Sequence, residues 1–441
     1  MGLPETFSKM FILATSLCSW KSGFVGNPQV PPFKTVLELV RKRVMDLACE
    51  QQSKKLKCKL EDVQPRDGMK NLPRDIALDI LSRLPITSLL QFRFVCRSWR
   101  FLSQDPDLVK LHFSRTAKNN PCLIFHCDYP IRNQLYFVDF SDQDDNQTVR
   151  KIDTPICAAM PEFYVVGSCN GLLCLYNSLY NDPVYIYNPF TRDYKRLPES
   201  RLQFQEKEVL FGFGFHPNSR EYKVVKIVYS SRSWRRSRSE VQIFSLGSST
   251  TWRSIGKVVY RLERSEALVN GRLHWVTRPV RLRRIVSFDL ADEKFEEVPK
   301  PSCGGLNRCN YHLAVLGGCL SAVVYCNYGK LEIWVMKDYN VKESWVKEFK
   351  IGAYSPKFLE QNLVQSYGIW NNTLNGKLAR VLCLLKNGNV LIEYKGGVLV
   401  SYDPGSGKFK NLVFKGMPNM FQTFVHVGSL NWIDTPIDID M

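Results

Sequence analysis

Two spacings of apolar residues divide the chain into a short helical part and a long β part. Between about residues 71 and 113, apolar positions recur every three to four residues, which places them on one face of a helix. A first stripe contains Ile76, Ile80, Leu81 and Leu84, and a second contains Leu89, Phe92, Cys96 and Trp99. Pro85 and Asp105-Pro106 end the two stripes. The pattern therefore predicts two or three short helices.

From about residue 120 to residue 430, the apolar residues instead form short alternating runs separated by Gly, Asn, Asp and Pro. This pattern is typical of β-strands and turns. One unit recurs six times, as a strand with an apolar or aromatic residue near its end, and the aligned positions are Val138, Tyr187, Phe244, Phe288, Trp334 and Tyr402. In four units a dipeptide suited to tight hairpins comes first: Asn170-Gly171, Asn270-Gly271, Gly317-Gly318 and Asn387-Gly388.

A repeat of about 45–50 residues with this content has the size of one four-stranded propeller blade. The sequence therefore predicts an all-β repeat domain, a β-propeller of about six blades, with a β-sandwich as the alternative. The C-terminal segment Phe421–Ile433 is a candidate for the strand that closes the ring with the first blade. The stretch Phe358–Asn375 is a candidate for an additional partial blade.

Residues 1–67 follow neither pattern and are predicted to be an N-terminal extension, a helix plus linker that is partly disordered. Met10–Trp20 is apolar, but no small-residue cleavage site follows it, so a peripheral tail is favoured over a secretion signal. Ser53–Lys59 is a basic run of the kind that usually forms a solvated face. The helical domain is predicted to cover residues 68–114 and the β domain residues 118–435.

Composition limits the possible partners and compartments. The net charge of +18 favours acidic partners. No apolar run reaches the roughly 18–20 residues that span a bilayer, so no membrane association is predicted. The 14 cysteines lack zinc-type spacing and are interpreted as reduced core thiols, which predicts the cytoplasm and/or the nucleus.

Candidate catalytic residues are few. None of the six histidines pairs with another at a metal-ligand spacing, and no serine lies in a G-x-S-x-G motif. Gly212 and Gly214 form a G-x-G, but the phenylalanines around them indicate a core strand and not a phosphate loop. We therefore predict no catalytic residue, no metal and no cofactor, and a protein that is not an enzyme.

The predicted helices carry more apolar surface than they can bury, because a core of fewer than about 70 residues is marginal. The surplus either packs on the neighbouring domain or binds a partner protein. The segment resembles the F-box, on Leu72-Pro73, Asp75-Ile76, Ile80-Leu81, Arg83-Leu84-Pro85, Ser88-Leu89-Leu90, Phe92-Arg93, Val95-Cys96, Trp99, Leu102 and Asp105-Pro106. It departs at Leu108, near a position where an aromatic residue is common.

The F-box resemblance implies docking to a Skp-type adaptor and, through it, to the cullin and RING subunits of an SCF (Skp–cullin–F-box) ubiquitin ligase. Apolar docking of a helix in a groove around an aromatic anchor is the expected physical mode. The adaptor-binding residues that it implies are Leu72, Pro73, Ile76, Ile80, Leu81, Leu84, Pro85, Leu89, Val95, Cys96 and Trp99.

The β part resembles the F-box-associated interaction domain, type 1, of plant F-box proteins. The resemblance is carried, in the family's order, by residues 167–173 (GSCNGLL), 187–191 (YNPFT), 211–215 (FGFGF), 222–225 (YKVV), 241–244 (VQIF) and 269–275 (VNGRLHW). It implies a domain that captures a substrate protein.

Two basic stretches, residues 232–238 and 278–284, contain apolar or aromatic residues among arginines. Such loops are usually solvated, but arginine also suits an acidic or phosphorylated protein segment. We therefore predict substrate contacts at Arg235, Arg236, Arg283 and Arg284. The alternative is a nucleic-acid-binding or scaffold protein that uses the same loops.

Together these features predict a non-catalytic substrate-recognition subunit of an SCF E3 ubiquitin ligase. The F-box would bind the adaptor, and the β domain would bind an unknown target protein, which would lead to its ubiquitination and degradation. The predicted partners are all proteins, and nucleic acid is not expected among them.

Overall fold

The computed structural model of the chain describes residues 73–92, 97–129, 132–140, 147–201, 208–230, 238–278, 283–302, 311–326, 329–354, 356, 379–395, 397–431 and 433. The chain divides into two compact units, Met1–Arg115 and Thr116–Met441. The predicted N-terminal extension and the possible partial blade at Phe358–Asn375 lie outside the described residues.

Four helices are described in the N-terminal part: α1 (Arg74–Leu81), α2 (Ile86–Phe92), α3 (Arg97–Ser103) and α4 (Pro106–Thr116). Pro73 and Pro85 precede α1 and α2, and Pro85 ends the first apolar stripe as predicted. Pro106 opens α4, where its missing N–H costs nothing, and Asp107 in the first turn favours the helix dipole. The predicted break at Asp105 is therefore the start of another helix, which buries Leu108, Val109, His112 and Phe113.

All the described strands lie in the second unit, in six four-stranded antiparallel sheets. Blade 1 contains β24 (Met420–His426), β1 (Cys122–Tyr129), β2 (Gln134–Asp139) and β3 (Arg150–Lys151). Blade 2 contains β4 (Phe163–Cys169), β5 (Leu172–Asn177), β6 (Val184–Tyr187) and β7 (Tyr194–Arg196). Blade 3 contains β8 (Glu208–His216), β9 (Glu221–Tyr229), β10 (Ser239–Ser245) and β11 (Arg253–Gly256).

Blade 4 contains β12 (Ala267–Val269), β13 (Arg272–Val276), β14 (Ile285–Asp289) and β15 (Phe295–Val298). Blade 5 contains β16 (Tyr311–Leu316), β17 (Cys319–Tyr325), β18 (Leu331–Met336) and β19 (Trp345–Ile351). Blade 6 contains β20 (Ala379–Leu384), β21 (Val390–Tyr394), β22 (Val398–Asp403) and β23 (Lys408–Leu412). The predicted six-bladed propeller is confirmed, and the β-sandwich alternative is wrong.

The propeller has two faces, which the strand directions define. The first strands surround the axis, and in most adjacent blades they contact one another, whereas β8 of blade 3 contacts β13, the second strand of blade 4. The first strands begin at one end of the propeller, which we call the connection face. The connections between blades, and the loops from second to third strands, leave the sheets at this end. The opposite end, which carries the turns from first to second and from third to fourth strands, is the turn face.

The repeat found in the sequence corresponds to one strand of each blade. All six aligned positions, from Val138 to Tyr402, lie in the third strand of their blade. At Asn170-Gly171, Asn270-Gly271 and Gly317-Gly318 both residues have positive φ, as tight hairpins require. Gly388 has φ 85°, so the fourth dipeptide also turns the chain there.

Apolar side chains from adjacent blades form the core. One cluster joins blades 2 and 3 through residues such as Ile186, Phe213 and Tyr222, and further clusters join blades 3–4, 4–5, 5–6 and 6–1. Gly212 lies in β8, as predicted for a core strand, and a Cβ there would stand 2.8 Å from the Trp275 ring. The glycine therefore lets blades 3 and 4 pack closely.

The ring is closed by the last of the described strands. β24 pairs with β1 from Cys122 opposite His426 to Tyr129 opposite Met420, which confirms the closure predicted for the C-terminal segment. Beyond β24, the buried residues Ser429 and Asn431 cross blade 2 on the turn face, where both backbone oxygens accept from the Asn188 amide. Asn431 then donates to the Tyr222 hydroxyl of blade 3 at 2.9 Å.

Two buried histidines mark the contact between blades 1 and 2. His126 stacks on Phe163 with the ring centroids 4.8 Å apart, and His426 Nδ1 lies 2.8 Å from Ser168 Oγ. Burial lowers the pKa of His126 to about 4 and that of His426 to about 3. Both imidazoles are therefore neutral in the folded protein at neutral pH.

We expect Phe421→Ala to destabilise the propeller by about 3–5 kcal/mol, because a buried aromatic ring of the closing strand is lost. Val413→Ala is the control, because Val413 is 77% exposed and should change the stability by less than about 0.5 kcal/mol. Urea unfolding followed by tryptophan fluorescence measures both. Equal effects of the two substitutions would show that β24 contributes no core packing.

The buried histidines predict a loss of stability in acid. Their folded pKa values lie below the unfolded value of about 6.5, so the unfolded chain binds more protons between about pH 6.5 and 4. Stability is full above pH 6.5 and falls by about 1.4 kcal/mol per pH unit for each histidine as the pH decreases. His426→Gln should flatten the pH dependence of the urea midpoint by one such contribution, and an unchanged slope would contradict this origin.

Candidate docking surfaces

The predicted adaptor contacts of the helical part separate into buried and accessible residues. Ile80, Leu81 and Leu89 are at most 6% exposed, so their side chains belong to the interior of the chain. The accessible positions are Pro73, Ile76, Leu84 and Pro85, of which the two prolines are exposed and the other two half-buried. Leu72, Val95 and Cys96 lie outside the described residues, and Trp99 lies in α3 with its side chain outside the described part.

Polar contacts hold the turn between α1 and α2 against α4. Arg115 donates to the Asp79 backbone oxygen at 2.9 Å and to the Ser82 hydroxyl. His112 Nε2 lies 3.0 Å from the backbone oxygen of Leu84, and burial lowers the pKa of His112. Because its backbone is fixed in this way, Leu84 presents its side chain from a defined position.

The most accessible large apolar residue described in this part was not predicted. Phe101 in α3 is 72% exposed, the largest exposure of a large apolar side chain among the described residues of the helical part. It lies outside the two apolar stripes, so periodicity does not identify it. An exposed aromatic residue on a short helix is the type of side chain that anchors protein interfaces.

Two of the four predicted arginines of the β domain, Arg283 and Arg284, lie among the described residues. The described ends of the loops between β9 and β10 and between β13 and β14 lie on the connection face of adjacent blades: Ser230, Arg238, Thr277 and Arg284. Arg235 and Arg236 lie outside the described residues. Arg283 is 8% exposed and lies 3.3 Å from Glu263, and Arg284 is exposed and paired with Glu297. Substrate contact at these arginines remains a prediction.

A network of charges crosses the axis of the propeller. The Arg380 guanidinium of blade 6 lies 2.9 Å from Glu393 and 2.8 Å from Glu266, which precedes blade 4. It also donates to the Thr423 backbone oxygen of blade 1, and the Thr423 N–H and hydroxyl donate to Glu393. Sequence reasoning missed this network, since its members are widely separated along the chain.

The described residues contain no group of three or more His, Cys, Asp or Glu side chains that could hold a metal ion. None of the described helices is long and apolar enough to cross a membrane.

Comparison with known proteins matches both parts of the chain. Residues 69–111 match the F-box domain, and residues 122–424 match the F-box associated beta propeller domain. This chain belongs to the F-box protein family with an F-box-associated propeller. The match specifies the propeller class, and the type 1 subfamily stays a prediction.

The relatives of this F-box protein include three proteins of Arabidopsis thaliana. F-box protein At3g07870 is 54% identical over 84% of this chain and 94% of its own length. F-box/kelch-repeat protein At3g23880 is 30% identical over 77% of this chain and 89% of its own length. F-box protein CPR1 is 30% identical over 82% of this chain and 89% of its own length.

Arg380→Met should destabilise the F-box-associated propeller by about 3–5 kcal/mol, because Glu393 is left buried without its cation. In the double variant Arg380→Met/Glu393→Gln, the buried negative charge of residue 393 is removed, and the glutamine side-chain oxygen can still accept from Thr423. We therefore expect the double variant to recover more than half of the unfolding free energy that Arg380→Met loses. Arg284→Met removes an exposed pair and should cost less than about 1 kcal/mol. Urea unfolding of all three variants checks this, and no recovery in the double variant would contradict it.

Proposed function

We propose that this F-box protein is the substrate-recognition subunit of an SCF E3 ubiquitin ligase. The proposal is carried by the F-box match at residues 69–111, followed by a propeller that fills most of the remaining chain. The accessible side chains of Ile76, Leu84 and Phe101 give the F-box apolar surface for a Skp-type adaptor. The adaptor would in turn link the protein to the cullin and RING subunits.

In this proposal, the chain increases the rate of ubiquitination by bringing the target protein close to the conjugating enzyme. The propeller, of type 1, would hold a target protein so that its lysines stay near a ubiquitin-charged conjugating enzyme, which raises their effective concentration. The groups that form and transfer the ubiquitin thioester would belong to other subunits, and this chain would act as a non-catalytic adaptor. Ubiquitination and degradation of the target would follow.

The compartment we propose is the cytoplasm and/or the nucleus. The cysteines of the described strands support it: burial raises the pKa of Cys169 and Cys383 to about 12, which keeps both as unreactive thiols. None of the described cysteines forms a disulfide, a pattern typical of reducing compartments.

Replacing Leu84 by Glu together with Trp99 by Ala should abolish co-purification with a Skp-type adaptor. The reason is that a charge is placed in the apolar docking surface and an aromatic anchor is removed. The measurement is pull-down of a recombinant plant Skp-type adaptor by the tagged full chain. Val413→Glu is the matched control, because it puts the same charge at an exposed aliphatic position of the propeller and should leave binding intact.

Circular dichroism of each variant separates loss of binding from loss of folding. Undiminished adaptor binding by a folded Leu84→Glu/Trp99→Ala variant would reject the docking assignment. Loss of binding in the Val413→Glu control would also count against it, because the effect would then not be specific to the F-box.

A further inference from the structure

Exposed apolar side chains of the propeller are concentrated on the connection face. Among the described residues of the propeller, the large apolar side chains that are more than 60% exposed all lie in loops of this face: Val259 88%, Val413 77%, Tyr180 74% and Leu179 61%. The less exposed ones, Tyr194, Val341 and Val346, lie at the starts of fourth strands or in a turn before one, near the turn face. Apolar surface available to a partner is therefore mainly on one end of the propeller.

Hydrogen bonds hold the backbone of the loop that carries Leu179 and Tyr180 in a defined conformation. The buried Asn177 accepts hydrogen bonds from the backbone N–H groups of Leu179 and Tyr180 through its side-chain oxygen, at 2.9 and 3.1 Å. The backbone N–H of Ser178 donates to the backbone oxygen of Glu162 at 3.0 Å. A fixed loop loses little conformational entropy on binding, so its exposed Leu and Tyr are suited to anchor a partner.

Arg264 lies at the same end of blade 2, although it belongs to the connection between blades 3 and 4. Its guanidinium carbon is 5.0 Å from the centre of the Tyr164 ring and 5.7 Å from that of Tyr176. Nη2 donates to the Tyr176 hydroxyl at 2.5 Å. These aromatic contacts fix the guanidinium and leave part of it accessible to solvent.

The charge of Arg264 has no carboxylate to neutralise it among the described residues. Neighbouring arginines of the connection face differ in this respect: Arg261 and Arg278 both pair with Glu208, and Arg283 pairs with Glu263. Burial raises the pKa of Tyr176 to about 12, so the tyrosine hydroxyl bound to Arg264 stays neutral. Arg264 thus keeps a full positive charge in a site that is already ordered.

We propose that Arg264, with Leu179 and Tyr180, forms a capture site for an acidic segment of a substrate protein. The guanidinium would bind a carboxylate or phosphate of that segment, and the fixed loop would contact an apolar residue beside it. The chain's charge of +18 adds a long-range attraction for such a segment. This inference rests on the proposed substrate-receptor function and gives that function a chemical class of ligand.

Degenerate peptide pools test the site directly. Each fluorescein-labelled pool holds a leucine next to one fixed residue, which is Glu, phosphoserine, Ser or Lys, and is passed over the immobilised full chain in complex with a Skp-type adaptor. We expect the Glu or phosphoserine pool, or both, to be retained roughly tenfold better than the Ser and Lys pools. The better retained of the two identifies the source of the anion.

Two variants and one control connect the retention to the site. Arg264→Gln should reduce retention of the acidic pools to the level of the Ser pool, and Tyr180→Ser should reduce it several-fold without unfolding, because Tyr180 is 74% exposed. Arg278→Gln is the matched control, since it removes a cation from the same face that has a carboxylate partner, and it should keep the preference.

Equal retention of the four pools, or an acidic preference that survives in Arg264→Gln, would overturn the proposal. Retention of a labelled oligouridine that depends on Arg264, with no acidic preference among the peptides, would overturn it in favour of nucleic acid. Adaptor co-purification is scored in the same samples. Its failure speaks against the ligase function, whereas intact adaptor binding without acidic preference rejects the capture site alone.

Discussion

The pairing of β24 with β1 is the interaction on which the second unit depends. Every blade buries its apolar faces against its two neighbours. If β24 did not pair with β1, the ring would stay open, and the facing apolar surfaces of blades 6 and 1 would both be exposed to water. The chain adds to this pairing by carrying Ser429 and Asn431 across blade 2 to Tyr222 of blade 3. Gly171 makes the crossing possible, because a Cβ there would stand 2.1 Å from that of Ser429.

The closure also explains why the two faces of the propeller differ. Both chain ends of the β domain occupy the turn face: the C-terminal segment crosses blade 2, and Asn120, just before β1, accepts a hydrogen bond from Lys386 N–H in a turn of blade 6. The connection face instead carries the longer loops, the exposed Leu179 and Tyr180, and Arg264. Segments needed for stability and residues available for binding are therefore placed at opposite ends of the same sheets.

Local sequence patterns predicted the strands and turns of this fold. Contacts between residues distant in sequence determine which side chains are accessible at its surfaces. Tyr187 and Phe288 were aligned correctly because every third strand must present an apolar residue to its neighbouring blade, and Asn270-Gly271 turned as predicted because few other residues tolerate positive φ. The pairing of Arg283 with Glu263 and the position of Arg264 over Tyr164 were not visible in the sequence. Which arginine is neutralised depends on where separate loops meet in three dimensions.

The F-box prediction was limited in a similar way, since a stripe such as Ile80 and Leu81 marks apolar residues without separating interior from docking surface.

Closure by the last strand has a consequence for biosynthesis. The first blade is translated early but lacks its innermost strand until Met420–His426 has left the ribosome. Until then, blades 2 to 6 would form an open ring with apolar surface exposed at its ends. A chain in this state can bind chaperones or misassemble. A premature stop codon before the codon for residue 420 would yield a chain that contains the F-box segment but cannot close the ring. Such a product would leave the inner edge of β1 unpaired and the apolar core between blades 6 and 1 open to solvent, and both surfaces promote aggregation.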